Sequence, residues 1–240
     1  MQKPEISVII PAYNEQEYIG ACLQSLVWQD TKRPFEVILV DNNSTDNTKK
    51  IAQSFKNKLT IRIITEKIQG RGMARWRGFE EAQGDFLFSS DADTIFPKEW
   101  IETFMRYFNN KNIVAVTSLC DIDDPSLSNR VLFKFVQVVA NEGHRIFLGH
   151  YWLSGFSYAI RKDIYVKAGK IDKTLNALDD LDLGRRVKKF GKIKFVRNMP
   201  VLTSNRRYKK GVSQGLLEYV KPILKVTLLK SNKFEMDNPR

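Results

Sequence analysis

"FLFSSDADTIFP", residues 86–97, runs from an apolar segment into two carboxylates two positions apart, Asp91 and Asp93. Phe86 to Phe88 read as a buried strand. Setting two like charges at its end is costly unless a positive charge lies between them. At a strand-to-loop junction both carboxylates can reach one ligand. Hard oxygen donors suit Mg²⁺ or Mn²⁺, which one or two carboxylates commonly hold while substrate phosphates complete the shell. A plainer reading makes the stretch a loop start, with Asp93 capping the next helix. The D-x-D alone does not choose between them.

Outward from this stretch, strand and helix patterns alternate over the first 120 residues. "ISVIIPA", "FEVILVD", "LTIRIIT", "DFLFSSD" and "NIVAVTSLC" read as strands. Between them lie "EQEYIGACLQSLVWQ", with Asn14 as a candidate cap, then "NSTDNTKKIAQSF", "GRGMARWRGFEEAQG" and "PKEWIETFMRYF" as helical segments. Such alternation predicts an α/β fold, a doubly wound, mostly parallel sheet with helices on both faces. Asp41 closes the second strand, Asp91 the fourth, and "PAYNE" follows the first. Ligands of open parallel sheets bind at the carboxyl ends of the strands, so these three polar clusters should meet on one rim.

The second half is less regular. "NRVLFKFVQVVANEGHRIF" reads as a long helix and "WLSGFSYAIRKD" as a strand with a glycine turn. "DDLDLGRRVKKFG" reads as a helix burying Leu183, Val187 and Phe190, and "KIKFVRNMPVLTS" as one or two short strands. "LLEYVKPILKVTLLK" is a broken amphipathic helix interrupted by Pro222. With no clean linker, residues 1–240 are expected to form a single domain. Its parts would be a ligand-binding half over 1–120, a second cleft wall over 121–207, and a basic amphipathic segment over 208–240.

With 42% apolar residues the 240-residue chain can build a sizeable core. Cys22 and Cys120 sit among apolar neighbours and are expected to be free core thiols of a reducing compartment. "MQKPEISVII" runs straight into a strand pattern with no signal peptide, so a cytoplasmic location is expected. The formal charge of +12 favours anionic partners. The signature of a nucleic-acid module, aromatics interleaved with Lys and Arg on one sheet face, is missing, and no nucleic-acid partner is expected.

Together "PAYNE", "VDNNSTDNT" and the D-x-D, in this order and at these strand ends, resemble the family 2 inverting glycosyltransferases of the GT-A fold, which is Rossmann-like. The resemblance covers roughly residues 5 to 110 and extends to "GKIDKTLNALDDLDLGRRVKKFG", similar to that family's acidic E-D-x-D-L stretch. It implies transfer of a sugar from a nucleoside-diphosphate sugar, UDP-sugar favoured, to a hydroxyl acceptor, a saccharide or lipid-linked saccharide of cell-envelope glycan synthesis. Tyr13, Glu15 and Asp41 match positions that hold base and ribose, with Pro11 and Ala12 lining the same pocket. Asp91, Ala92 and Asp93 form the D-x-D, where Asp93 matches the direct ligand of a divalent cation and Asp91 its ribose- or metal-contacting partner. Gly72, Ala74, Arg75 and Gly78 match a glycine-containing stretch in which Arg75 contacts the donor, and Asp180 matches the general base. Asn42 and Asn43 stand where the family often has Asp and Gly, and Asn43 is counted in the donor pocket. Trp76 stands where Asn is common. Ser204, Arg207 and Tyr208 loosely resemble the Q-x-x-R-W element of processive members, where Arg206 or Arg207 would grip the leaving diphosphate.

Chemistry asks for the same parts. A metal neutralises the leaving diphosphate, and a carboxylate removes the acceptor's proton. His144 and His150 are candidates for a third metal ligand, and Trp152 for stacking on a sugar face. The basic C-terminal segment suggests peripheral attachment to an anionic membrane surface. A nucleotidyltransferase is the rival enzyme, but "PAYNEQE" lacks the glycine-rich basic loop it would carry. A glycoside hydrolase leaves Asp41 and the D-x-D unexplained.

Overall fold

In the computed structural model, which describes residues 3–175 and 178–208, the first four strand–helix units follow in close succession. They are β1 (Ile6–Ala12), α1 (Ile19–Val27), β2 (Phe35–Asp41), α2 (Thr48–Gln53), β3 (Ile61–Thr65), α3 (Arg71–Glu81) and β4 (Phe86–Ser90). A two-residue strand β5 (Thr94–Ile95) precedes α4 (Trp100–Phe108), β6 (Ile113–Ile122) and the long α5 (Leu127–Leu148). The chain continues through β7 (Ser157–Arg161), α6 (Lys162–Lys167), α7 (Asp179–Val187) and β8 (Lys192–Thr203) to a 3-10 turn at Arg206–Tyr208.

All eight strands share one sheet, in the order β3-β2-β1-β4-β7-β6-β8-β5. The β3-β2-β1-β4 half is parallel, and β7 runs antiparallel to both β4 and β6. The strands of both halves of the chain therefore build a single sheet. β1 is buried along its whole length, as expected of a central parallel strand covered on both faces. Its residues alternate between two apolar layers. Ile6, Val8 and Ile10 pack with α1 and α4 residues such as Leu23 and Phe104, while Ile9 packs with Phe79 of α3 and Leu183 of α7. The fold is thus a doubly wound, mostly parallel sheet with helices on both faces.

Small residues bring α3 down onto β1 and β2. A Cβ on Gly78 would lie 2.4 Å from Ile9 Cγ2 and 3.1 Å from Val40 Cγ2, so only glycine permits this approach. The closeness places Arg75, one turn earlier on the same helix, beneath the sheet's rim.

Several expected elements differ in detail. Helix α1 begins at Ile19, and Asn14 is not its cap, having a left-handed backbone with φ 53°. Phe190 lies beyond the end of α7 and is exposed, because the apolar face of that helix is complete with Leu183 and Val187. "KIKFVRNMPVLT" is one strand, whose pairing with β6 carries two register irregularities. Asp93 caps no helix, since α4 does not start until Trp100. The broken amphipathic segment expected at the C-terminus lies, from residue 209 onward, outside the described residues.

Candidate active site

Three strands deliver their polar ends to one rim. Ala12 and Asp41 are register partners of β1 and β2, and Ile9 pairs with Ser89 of β4. Tyr13, Asn42 and Asp91 therefore leave the sheet side by side, where chain connection reverses between β1 and β4. The loops after β1 and β2 are laced together. Asn14 N–H donates to Ser44 Oγ at 3.0 Å, and Thr45 N–H donates to Asn14 Oδ1 at 2.9 Å. Glu15 N–H donates to Thr48 Oγ1 at 2.7 Å, and Gln16 N–H to Asp46 Oδ2 at 3.0 Å. Their side chains thus hold one loop to the other, a role that capping statistics alone do not foresee.

Pro11, Ala12 and Asp41 are buried on this rim, and Tyr13 is half-exposed at its mouth. Ser44 N–H donates to Asp41 Oδ1 at 3.3 Å. Asn42 and Asn43 hold the loop before α3. Asn42 Nδ2 donates to the carbonyls of Glu66 and Ile68, its Oδ1 accepts from Gly70 N–H, and Asn43 Nδ2 donates to Lys67 O. Asn43 has φ 66°, a left-handed conformation that glycine adopts freely and asparagine tolerates. That explains how it stands where a glycine is common.

Arg75 is the hub of the site. Only 1% exposed, its guanidinium donates from Nη1 to Asp179 Oδ2 at 2.8 Å and from Nη2 to Asp91 Oδ1 at 2.7 Å. Burial opposes its charge, but Asp179 and then Asp91 outweigh that and hold it above its usual range. The Asp91 contact links this deep side chain to the rim, where the sequence suggested contact with a donor. One arginine thereby joins the D-x-D of β4 to the acidic start of α7.

Asp180 lies beside this pair. Gly155 N–H donates to its Oδ2 at 2.8 Å and Leu181 N–H to its Oδ1 at 2.8 Å. A Cβ on Gly155 would sit 3.1 Å from both Asp180 Oδ2 and Arg75 Nη2, so the glycine leaves space for carboxylate and arginine together. Burial, then the neighbouring charge of Asp179, raises the Asp180 carboxyl to about 6, against the opposing pull of Arg75 and Arg71. Leu178, immediately before the two acids, is itself left-handed at φ 61°. A leucine pays for that conformation in strain, which is typical of backbone fixed at a functional site.

The second carboxylate of the D-x-D has a different partner. Thr94 pairs with Thr203 where β5 meets β8, which brings Ser204 beside Asp93. Ser204 Oγ–H donates to Asp93 Oδ2 at 2.7 Å, and Arg206 Nη2 lies 2.8 Å from the same oxygen. Arg206 also forks onto the fully buried Glu15, with Nη1 to Oε2 at 2.8 Å and Nη2 to Oε1 at 2.9 Å. Glu15 therefore grips an arginine, a contact that its place in "PAYNE" does not reveal. The doubled arginine of "SNRRY" was visible in the sequence, but which of the two faces the carboxylates depends on the turn. Arg207 falls in that turn, and its side chain lies outside the described ones.

The remaining candidates gather elsewhere. His144 and His150 pack edge to face at 4.6 Å, with His144 Nδ1 at the His150 carbonyl and His150 Nδ1 at the Tyr151 carbonyl. Burial lowers both, His150 to about 4, so both are neutral at pH 7. Among the described residues no group of three or more His, Cys, Asp or Glu is disposed to hold a metal ion by itself. Trp152 stacks on His144 at 6.3 Å, and Trp76 lies under the Lys173 ammonium at 4.9 Å. Cys22 and Cys120 are free and buried, and burial followed by the charge of Asp93 pushes both thiols up.

The donor set fits a divalent cation completed by a ligand. Its contacts are hard carboxylate oxygens, and Asp93 and Glu15 already hold one positive group between them.

Comparison with known proteins gives the family and the fold. The family model described as "Glycosyl transferase family 2" matches residues 7–163, ending before α7 and Asp180. The poly(ribitol-phosphate) beta-N-acetylglucosaminyltransferase TarS of Staphylococcus aureus is 37% identical over 101 residues, 41% of this chain but only 18% of TarS. The structure of TarS residues 1–349 with UDP-GlcNAc superposes with a TM-score of 0.67 at 22% identity, over 96% of this chain and 68% of that one. The mannosyltransferase PcManGT from Pyrobaculum calidifontis, with GDP-Man and Mn²⁺, gives a TM-score of 0.73 at 18% identity, over 100% of this chain and 67% of that one. These superpositions show the fold, and the family model covers well over half of the sequence. The chain belongs to glycosyl transferase family 2 and has the GT-A fold.

Proposed function

We propose that the enzyme transfers a sugar from a nucleoside-diphosphate sugar, UDP-sugar favoured, to a hydroxyl acceptor with inversion at the anomeric carbon. The observation that carries this reading is Asp180: a buried carboxylate raised to about 6, fixed by two backbone N–H groups and joined through Asp179 and Arg75 to the D-x-D. In this reading Asp180 takes the proton of the acceptor hydroxyl as its oxygen attacks the anomeric carbon. Attack opposite the departing diphosphate, with a single base and no covalent intermediate, inverts the configuration. Tyr13, Asp41, Asn43 and the backbone of Pro11 and Ala12 bind the nucleoside. Asp91 and Asp93 would hold a divalent cation, Mn²⁺ or Mg²⁺, which when bound neutralises charge on the leaving group. Oxygens of the diphosphate would complete its shell.

Bound UDP-GlcNAc in TarS and GDP-Man with Mn²⁺ in PcManGT support a nucleotide-sugar donor and a metal. The poly(ribitol-phosphate) in the name of TarS supports a hydroxyl-bearing acceptor, and the acceptor proposed here is a saccharide or lipid-linked saccharide of cell-envelope glycan synthesis. Titration calorimetry with UDP and GDP, with and without Mn²⁺, tests the donor site. Metal-dependent binding of one nucleotide is expected, with at least a roughly tenfold loss in Asp93→Ala, the scale of one charge-assisted contact. Absence of binding by the folded protein would overturn the reading.

Peripheral attachment to an anionic membrane is part of the same proposal. The described residues support it through α5, whose Val131, Phe135, Val139 and Ile146 are all exposed and follow one side of the helix. Arg130 and Lys134 of the same helix both pair with Asp121, at 2.5 and 2.7 Å, so the electrostatic part of the proposal rests on the chain's net charge of +12. No helix among the described residues is long and apolar enough to cross a membrane. Cosedimentation with vesicles containing anionic lipid at physiological salt is expected, and should weaken as salt rises. Binding that is equal on neutral vesicles would contradict the electrostatic part of the proposal.

A further inference from the structure

We infer that Arg206 is a built-in competitor of the metal ion: it holds Asp93 and Glu15 as an internal cation, and releases Asp93 when a metal enters with the diphosphate. The inference rests on the reading of the D-x-D as a metal–diphosphate site and adds to it an order of binding.

The geometry is that of a filled charge site. One guanidinium, 14% exposed, bridges a Glu15 carboxylate that is 0% exposed and an Asp93 carboxylate that is 10% exposed. Tyr18 supports it, with its ring 5.0 Å from the guanidinium carbon. Asp93 Oδ2 accepts from Arg206 and Ser204 at once, so the oxygen a metal would use is already engaged on the protein side. A divalent cation on Asp93 would stand next to the guanidinium, and two positive groups at that separation repel strongly where water is scarce. Either Arg206 leaves Asp93 or the metal stays out.

Arg206 is carried on a short turn. It is a three-residue 3-10 turn, closed by Tyr208 N–H donating to Asn205 O at 2.7 Å. It is held by the carboxylates at one end, and at the other the Tyr208 ring lies 4.9 Å from Phe133 of α5. Free metal must displace the arginine without replacing its negative partners. A metal carried by a nucleoside diphosphate brings compensating negative charge with it. The site therefore discriminates against the bare ion and favours the metal–diphosphate complex, so Arg206 is a specificity-determining residue for donor loading.

Mn²⁺ binding to the full chain, read from the free-ion electron paramagnetic resonance signal, tests this without reference to turnover. In the absence of nucleotide, Arg206→Gln is expected to bind Mn²⁺ roughly ten- to hundredfold more tightly than wild type, the range of a lost charge-assisted contact. Ser204→Ala, which removes one hydrogen bond to Asp93 but no charge, should tighten binding less. With UDP or GDP present the difference between Arg206→Gln and wild type should narrow. Hydrogen exchange of a peptide spanning residues 203–208 should speed up in wild type on adding Mn²⁺ with the nucleotide, and not with Mn²⁺ alone at the same concentration. Unchanged or weaker Mn²⁺ binding in both variants, while wild type binds Mn²⁺ with nucleotide, would overturn the competition and leave the donor site standing. No Mn²⁺ bound by any of the proteins with either nucleotide would overturn the donor-site reading, and the competition with it.

Discussion

Asp180→Asn is expected to lower kcat by about a thousandfold, within the range contributed by a positioned general base. The amide keeps an oxygen that can accept from Gly155 N–H, so the strained turn at Leu178 and the packing of α7 should survive. The melting temperature should accordingly stay within about 4 °C of wild type, the shift that roughly 1 kcal/mol produces in a domain of this size. The pH profile gives an independent check. With its carboxyl raised to about 6, Asp180 is protonated below that pH and cannot accept the acceptor's proton. Wild-type kcat/KM should therefore climb with pH up to about 6 and then level off. The residual activity of Asp180→Asn should lack that acid limb. A variant that retains near-wild-type kcat would remove Asp180 from the chemistry.

Arg75→Met should strike both stability and catalysis. It leaves Asp179, fully buried, and Asp91 without the guanidinium that joins them. Removing one member of a buried ion pair commonly costs about 3–5 kcal/mol, here roughly a 10 °C fall in melting temperature. Lysine would restore the charge but not the two-armed reach, so Arg75→Lys is expected to recover only part of the loss. The base should respond as well. Arg75 pulls the Asp180 carboxyl down, so its loss should move the acid limb of the pH profile upward. That shift, measured in any Arg75 variant that remains folded, separates a role in tuning the site from a purely structural one. Unchanged stability in Arg75→Met would contradict the arginine's place as hub.

Much of this was legible in one dimension. Alternating apolar runs and helical periods dictate a doubly wound sheet, because a continuous apolar strand such as "ISVIIPA" must be covered on both faces. The placement of Asp41 and Asp91 at strand ends then forces them to a common rim, since parallel neighbours point their ends the same way. Asp180 was legible as an acid in the first turn of a helix, but not as a buried one. Its proton affinity depends on Gly155 and Asp179 closing around it.

Other features escape any local reading. Asn14 has the composition of a cap, yet its side chain serves the loop after β2, a partner 31 positions away. Glu15 resembles a ligand-facing carboxylate, and its partner Arg206 is 191 residues distant.

The sequence by itself determined the layers, the strand ends and the residue types gathered there, because periodicity and chain direction are properties of short segments. Only the tertiary structure decided which charges neutralise one another. Arg75 came to join Asp91 and Asp179, and Arg206 came to stand between Glu15 and Asp93. The physical reason is that a buried charge must find its counter-charge wherever the fold supplies one. That choice depends on helix approach and strand register, here the Gly78 contact under α3 and the Thr94–Thr203 pairing, and neither is written in the neighbourhood of the residues concerned.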